Sequence, residues 1–510
     1  MKNNKKFILF LVVVLTLTVF SSCKKDEKKE YSHKITYWVE AILSHQYLNY
    51  SDIPRVEKIM DKFDCEIEFM HPVAGQSFEK FNILIAMGKL PDIIEYNWTK
   101  HYSGGAQKAL SDGLIREINL EKDAPNLSAY IKEHPAVDKL IKSEDGKYYG
   151  YHFIRDDESL QVSAGLIVRE DWLKDSGMAY PETIDEWEQM LTLFKSKYGA
   201  KAPLSVTPSA FDAGCFVGAF GIGNDFYLDN GKVKYGPAED EYKDFLALMN
   251  KWYTEGLLDS DYVALDGNTL QSNILNGVCG ATFGSCGSGL GNWMSAAPDE
   301  KYSLVGVKYP VINKGDKPML GQYQFAVTGT CAVITRDSAD PQLCSKILDY
   351  GYSHEGRMLY NFGIEGVSYN MKDGYPEYTD IITNNPDGLS MRAAMEPYAL
   401  SYHEGPFIQD KRYMEQYAAL PQQKIALENW TYTDSKNHYM PMFSLNHEQR
   451  NEIAPLLESI GSYEAEMQAK FIMGIEPLDK FDDYRAELFD RGLEKYLSYQ
   501  QEAYENYIKR

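Results

Sequence analysis

The side chains of this chain best suited to chemistry are rings and carboxylates set where predicted strands end. Trp38 and Glu40 close a predicted strand at 34–40, and Trp98 follows a second at 93–94. A glycine-rich run at 277–293 sets Ser285 and Trp293 on a backbone able to approach another molecule closely. Tyr323 sits in a run of Gln and aromatic residues at 322–325, and Trp430 stands out in an aromatic-rich, irregular stretch at 405–442. Arg155 precedes the paired Asp156 and Asp157. Rings stack on the apolar C–H faces of a pyranose, while carboxylates, guanidinium groups and hydroxyls bond its hydroxyls. The set predicts the grip of a saccharide without bond making or breaking. Two carboxylates facing one glycosidic bond would instead serve a glycoside hydrolase. Asp156, Asp157 and Glu365 are of the right type, but none sits in a hydrolase motif. Each tryptophan has an alternative role in a core, and for Trp38 and Trp98 both roles stay open.

Composition removes other classes. The formal charge of −22 argues against nucleic acid as a partner. No Cys pair has CxxC spacing and no His lies at zinc-ligand spacing beside one, so Cys65, Cys215, Cys279, Cys286, Cys331 and Cys344 read as buried thiols. A bridge between Cys279 and Cys286 stays open. The run at 277–293 lacks the GxxxxGK[ST] pattern of a phosphate-cradling loop. No metal or cofactor is expected.

The elements that position these residues follow from periodicity. Strand 34–40 sends Ile35, Tyr37 and Val39 to one face and Trp38 to the other. A helix at 54–63, a strand at 65–70, a helix from Ser77 as N-cap to Gly88, and a strand at 93–94 complete a β-α-β-α-β order, the sign of a parallel α/β sheet. Trp98 then falls at the carboxyl end of a strand, where open sheets bind ligands. Thr183 and Glu186 make a capping box for a helix whose Trp187 faces a core, and Trp252 reads as structural too. Helices close the chain at 463–472, 479–491 and 493–508. With 510 residues, two domains with cores of their own are possible.

At the start, Lys2, Lys5 and Lys6 precede an apolar run at 7–20 that is too short to favour a spanning helix. Phe20-Ser21-Ser22-Cys23 resembles a bacterial lipobox, implying cleavage of a signal peptide at 1–22 and a lipid on Cys23, followed by a charged tether at 23–33.

Several runs resemble the family 1 extracellular solute-binding proteins of carbohydrate ABC transporters. They are Gly88 with Leu90-Pro91-Asp92-Ile93-Ile94 after the amphipathic helix, Asp145-Gly146-Lys147 with Tyr149-Gly150, and Arg169 with Asp171-Trp172-Leu173. Further along come Pro181 with Thr183 and Glu186-Trp187, Gly363 with Glu365-Gly366 and Tyr369, and the C-terminal Lys470-Phe471 to Tyr507. The resemblance covers the chain from about Lys34 onward. It implies a two-lobe, type II periplasmic binding protein-like α/β fold with a hinge and a helical C-terminal extension. Lobe 1 would comprise 34–155 and 326–345, and lobe 2 would comprise 156–325 and 346–510. It adds Tyr151 as a residue entering the cleft and Glu365 as either a partner for sugar hydroxyls or a support for its glycine turn. It implies an oligosaccharide ligand, permease subunits as partners, a monomer, and a lipid-anchored, extracytoplasmic location. The rival readings are a surface glycoside hydrolase and an adhesin or sensor. Some relatives carry a calcium loop at the position of 195–204; here that stretch holds no carboxylate, so no such site is expected. Arg155 and Arg392 are the arginines available to a uronate.

Overall fold

The computed structural model describes residues 29–41, 43, 47–443 and 445–509. The predicted leader, Cys23 and the first part of the tether lie outside the described residues. Nine strands build the two principal sheets: β1 (His33–Val39), β2 (Cys65–Met70), β3 (Ile93–Asn97), β4 (Tyr151–His152), β5 (Ala164–Arg169), β6 (Leu204–Ser205), β7 (Ala281–Ser285), β8 (Leu304–Gly306) and β9 (Thr330–Ile334). The first sheet has the order β2-β1-β3-β9-β4, and the second β8-β5-β7-β6. β1 runs parallel to both β2 and β3, as the β-α-β-α-β order requires, and β9 returns antiparallel against β3.

Period-two alternation sets the two faces of the first sheet. Ile35, Tyr37 and Val39 enter a core with Ile67, Ile93 and Tyr151. Trp38 enters the opposite core with Phe81, Ile94 and Trp98. The helix Pro54–Phe63 carries Val56, Ile59 and Met60 on its buried face and has Pro at its first turn, where the missing N–H costs nothing. Lys29 pairs with Asp61 of this helix, and the Tyr31 hydroxyl donates to the same carboxylate at 3.0 Å, so the end of the expected tether is docked. The helix Ser77–Met87 ends at Gly88 in the left-handed conformation, φ 75°, as its sequence predicts. Ser77 is not the cap. Gln76 holds that position without a side-chain bond, and the Ser77 hydroxyl donates to Glu40 at 2.6 Å.

The second lobe gathers around β5, with Trp187 and Trp252 fully buried as expected and the Thr183–Glu186 capping box formed. The helices His447–Met473, Phe481–Asp490 and Leu493–Lys509 pack into the same core through Phe471, Tyr484, Leu488 and Leu493. The first of them begins well before the expected 463. The lobe boundary also differs from the expected one. Ile347, Leu348, Tyr350, Leu359, Tyr360 and Phe407 pack into the core of the first sheet, so 346–408 does not join the second lobe as a block. Met358, Phe362, Tyr369, Tyr378 and Met395 form a satellite core attached there. The chain re-enters the second lobe only at Ala418, Ala426 and Trp430. This segment adds no strand to either principal sheet, so its periodicity carried no mark of which sheet it covers. Among the described residues no helix is long and apolar enough to cross a membrane.

Candidate functional site

Three chain segments lie side by side where the lobes join. Ile154–Arg155 pairs in parallel with Ile408–Gln409, the Arg155 amide donates to the Ala326 carbonyl at 2.8 Å, and the Gln324 amide donates to the Gln161 carbonyl at 2.8 Å. Backbone bonding of this kind fixes the positions of the side chains that rise from the seam. Arg155 lies 3.5 Å from Glu404, whose carboxylate also accepts the Thr328 hydroxyl at 2.5 Å. The guanidinium sits 4.9 Å from the Phe153 ring centroid; burial lowers its pKa, and Nη1 is buried without a hydrogen-bond partner among the described residues. His403 is next to Glu404, and burial pulls its pKa below the usual imidazole value, with Glu404, Arg392 and Glu40 close enough to act on its charge.

Two hollows bridge the lobes. One, of about 570 Å³, is lined by Gly287, Asn292 and Ser295 from the second lobe, by Ser390 and Arg392 from the satellite, and by Tyr417. The other, of about 580 Å³, lies between Asn97, Lys100 and Thr328 of the first lobe and Phe443, Arg450 and Tyr496 of the second. Arg450 spans that gap, donating to the Thr99 carbonyl at 3.1 Å. A seam of paired charges between two α/β bodies, flanked by ring-bearing hollows, is the arrangement in which hinged receptors close on a ligand.

Comparison with known proteins agrees with this geometry. Lipoprotein LipO of Bacillus subtilis (strain 168) is 26% identical over 358 residues, 66% of this chain and 67% of its own length. The fructooligosaccharide ABC transporter substrate-binding protein FusA of Streptococcus pneumoniae serotype 4 is 24% identical over 468 residues, 84% of this chain and 82% of its own. The crystal structure of the alginate-binding protein AlgQ2 without calcium ion superposes with a TM-score of 0.75 at 24% identity, covering 94% of this chain and 99% of that one. The chain shares the fold of these binding proteins, and FusA, to which it is similar over most of its length, is named as a substrate-binding protein of an ABC transporter. No family model matches the chain.

Most of the expected ring contacts are elsewhere. Trp38 and Trp98 lie in one core of the first lobe, Tyr151 lies in its opposite core, and Trp293 and Trp430 lie in the core of the second. For Trp98 the cause is local. The Asn97 side chain accepts the Lys100 amide at 2.9 Å and caps a one-turn helix, which turns the indole back under the sheet against Phe81. Trp430 donates its indole N–H to the Leu166 carbonyl at 3.0 Å. Tyr151 is fully buried, with its hydroxyl 3.4 Å from the Asp123 carbonyl.

The glycine-rich run serves packing as well. A Cβ at Gly284 would stand 2.7 Å from the Trp293 ring, one at Gly287 2.2 Å from the Tyr417 ring, and one at Gly291 2.6 Å from the Gln423 amide. Ser285 accepts the Gly289 amide at 3.1 Å and shares a bond with Ser288, so it caps the turn. Gly287→Ala is expected to displace Tyr417 and to cost about 1–3 kcal/mol, the usual range for overpacking, read as a lowered melting temperature.

The Glu365 side chain is not what holds its glycine turn. It is exposed on its turn, and Ser368 holds that turn instead, accepting the Ile364 amide at 2.7 Å and donating to the Phe362 carbonyl at 2.8 Å. Three expected residues do stand at the seam or its rim. They are Arg155, Glu40 beside His403, and Tyr323, which is half-buried 6.1 Å from the Tyr439 ring. Sequence reasoning missed His403, Glu404 and Tyr417. The available signal was the His-Glu pair before Gly405-Pro406, a turn-forming dipeptide. Cys279 and Cys286 are both free and buried. At 195–204 two of the three lysines are engaged, Lys195 with the Glu255 carbonyl and Lys197 with Asp175. Among the described residues no cluster of three His, Cys, Asp or Glu side chains is placed to hold a metal ion.

One carboxyl behind the seam gives a pH test. Glu95 accepts the Tyr37 hydroxyl at 2.5 Å, and burial lifts its pKa to about 7. The unfolded value is near ~4.3, so between about pH 5 and 7 the native state holds a proton that the unfolded state has released. Stability should fall as pH rises through that window and level off above it, by roughly 3 kcal/mol at about 1.4 kcal/mol per unit. Melting curves from pH 5 to 8 should show this fall in the wild type and a flatter profile in Glu95→Gln.

Proposed function

We propose that this protein captures an oligosaccharide in the groove between its lobes and delivers it, chemically unchanged, to a membrane permease. Residues 1–22 would be removed and a lipid on Cys23 would hold the protein, as a monomer, outside the cytoplasm. The observation that carries the reading is the seam itself, where Arg155, Glu404 and His403 meet, with Arg392 and Tyr417 lining the adjoining hollow. The ligand class follows from the substrate named for FusA, a fructooligosaccharide, and the alginate named for AlgQ2. Arg392 forms no ion pair with a carboxylate among the described residues, which favours including uronates among the candidates.

A hydrolase is disfavoured by what two of its three candidate carboxylates already do. Asp156 accepts the Tyr130 hydroxyl at 2.6 Å and pairs with Arg357 at 2.9 Å. Asp157 caps a turn through the Ser159 amide and pairs with Lys411 at 3.0 Å. The reading is tested by a thermal-shift panel of neutral and uronate-bearing oligosaccharides. A ligand at a hundredfold its dissociation constant should stabilise the protein by about 2.7 kcal/mol. Shortened products from a labelled oligosaccharide would reject it.

A further inference from the structure

A small, partly open cavity of about 50 Å³ lies in the first lobe behind the seam. It is lined by Val39 and Glu95 of β1 and β3, the strands that run in parallel toward the groove, and by His403 and Glu404 of the seam. One of its walls is therefore the seam itself, through His403 and Glu404. The volume decides what can enter. It is several times the ~10–15 Å³ that one water needs, and about a third of the ~150 Å³ that takes up benzene. A pyranose ring stays outside, and a small substituent of that ring fits.

The chemistry of the wall narrows the substituent. Val56, Ile59, Ile67 and Leu348 present apolar surface. Tyr37 and Glu95 satisfy one another. Arg55, only 2% exposed, gives Nη1 to the carbonyls of Glu396 and Ala399 at 3.3 and 2.8 Å, whereas its Nε–H is buried with no partner among the described residues. A buried donor without an acceptor is costly. The space therefore suits a group that joins a methyl to an acceptor oxygen. A bare methyl leaves the donor unpaired, and a bare hydroxyl leaves the apolar wall unfilled.

We propose that this cavity is a subsite for an acetyl substituent of the bound saccharide. The proposal rests on the receptor reading above, and its probe carries no sugar so that the two can fail separately. Saturation-transfer NMR on the whole protein would use N-methylacetamide as the acyl probe and dissolved propane as a methyl-only probe. The expected result is transfer to the acetyl methyl protons of N-methylacetamide, lost in Val56→Phe, which fills the cavity from the helix Pro54–Phe63. Circular dichroism checks that this variant folds; Val56→Leu, one methylene larger than the wild type, is the second variant and should also weaken the signal. No transfer to N-methylacetamide, transfer undiminished in a folded filled variant, or transfer to propane alone would overturn the proposal. A saccharide that binds in the thermal-shift panel without transfer to N-methylacetamide overturns the subsite and leaves the receptor reading standing. Transfer without any panel hit overturns the receptor reading, and with it the saccharide as carrier of the acyl group.

Discussion

Truncating Trp430 to alanine is expected to lower the stability of the second lobe by about 3–5 kcal/mol, the range for emptying a large buried aromatic site. In a domain of this size that is roughly 10 °C in melting temperature. The indole is fully buried, and its N–H is bonded to the Leu166 carbonyl of β5. It lies so close to β5 and β8 that a Cβ at Gly165 would be 2.4 Å from its ring and one at Gly306 2.9 Å. Trp430 thus ties the returning helix Pro421–Thr431 to the middle of the sheet. Calorimetry separates this role from the ligand contact that the sequence suggested. A core residue lowers the melting temperature, whereas a contact residue lowers saccharide affinity at unchanged melting.

The second large effect should come from Glu404. Glu404→Ala leaves Arg155, with its side chain only 10% exposed, lacking its carboxylate partner at 3.5 Å. Stranding one member of a fully buried pair costs about 3–5 kcal/mol. Glu404 is itself 25% exposed, so about 2–4 kcal/mol is the reasonable range here. The variant also strips the acceptor of the Thr328 hydroxyl, which places the damage on two of the three crossing segments at once. Denaturant unfolding should show the loss. Pairing Glu404→Leu with Arg155→Met, which removes both charges, should recover much of it, because two apolar groups of similar volume avoid the desolvation cost that the ion pair carries.

What the sequence made legible was each element's own inner and outer face. Alternation along β1 divided Ile35, Tyr37 and Val39 from Trp38, and the structure sends them to opposite cores. Local signals with one physical solution were equally readable, such as Gly88 at positive φ and Thr183 with Glu186 as a capping box. What lies opposite a face is a different matter. Trp98 stands at a strand end, where a ring can turn outward or inward, and the Asn97 cap sends it inward. The glycines at 284, 287 and 291 mark close approach, as their type predicts, but what approaches is Trp293, Tyr417 and Gln423 rather than a ligand. The same limit hid the lobe of 346–408. Helix periodicity in the helix His354–Phe362 reports that Leu359 and Tyr360 are buried, and says nothing of which sheet buries them. Pro421 marked a helix start inside the stretch read as irregular, since proline suits the first turn.

The two lobes are expected to close on a saccharide they do not alter. The most direct measurement is the distance between spin labels on the two lobes, with and without an oligosaccharide that binds in the thermal-shift panel. Exposed Glu79 and Glu300 can each be replaced by cysteine for labelling, because the six cysteines among the described residues are all buried and Cys23 can be changed to serine. A shorter distance with the saccharide, reversed on its removal and with the sugar recovered intact, is the predicted result. An unchanged distance under saturating saccharide, or recovery of shortened sugars, would contradict it.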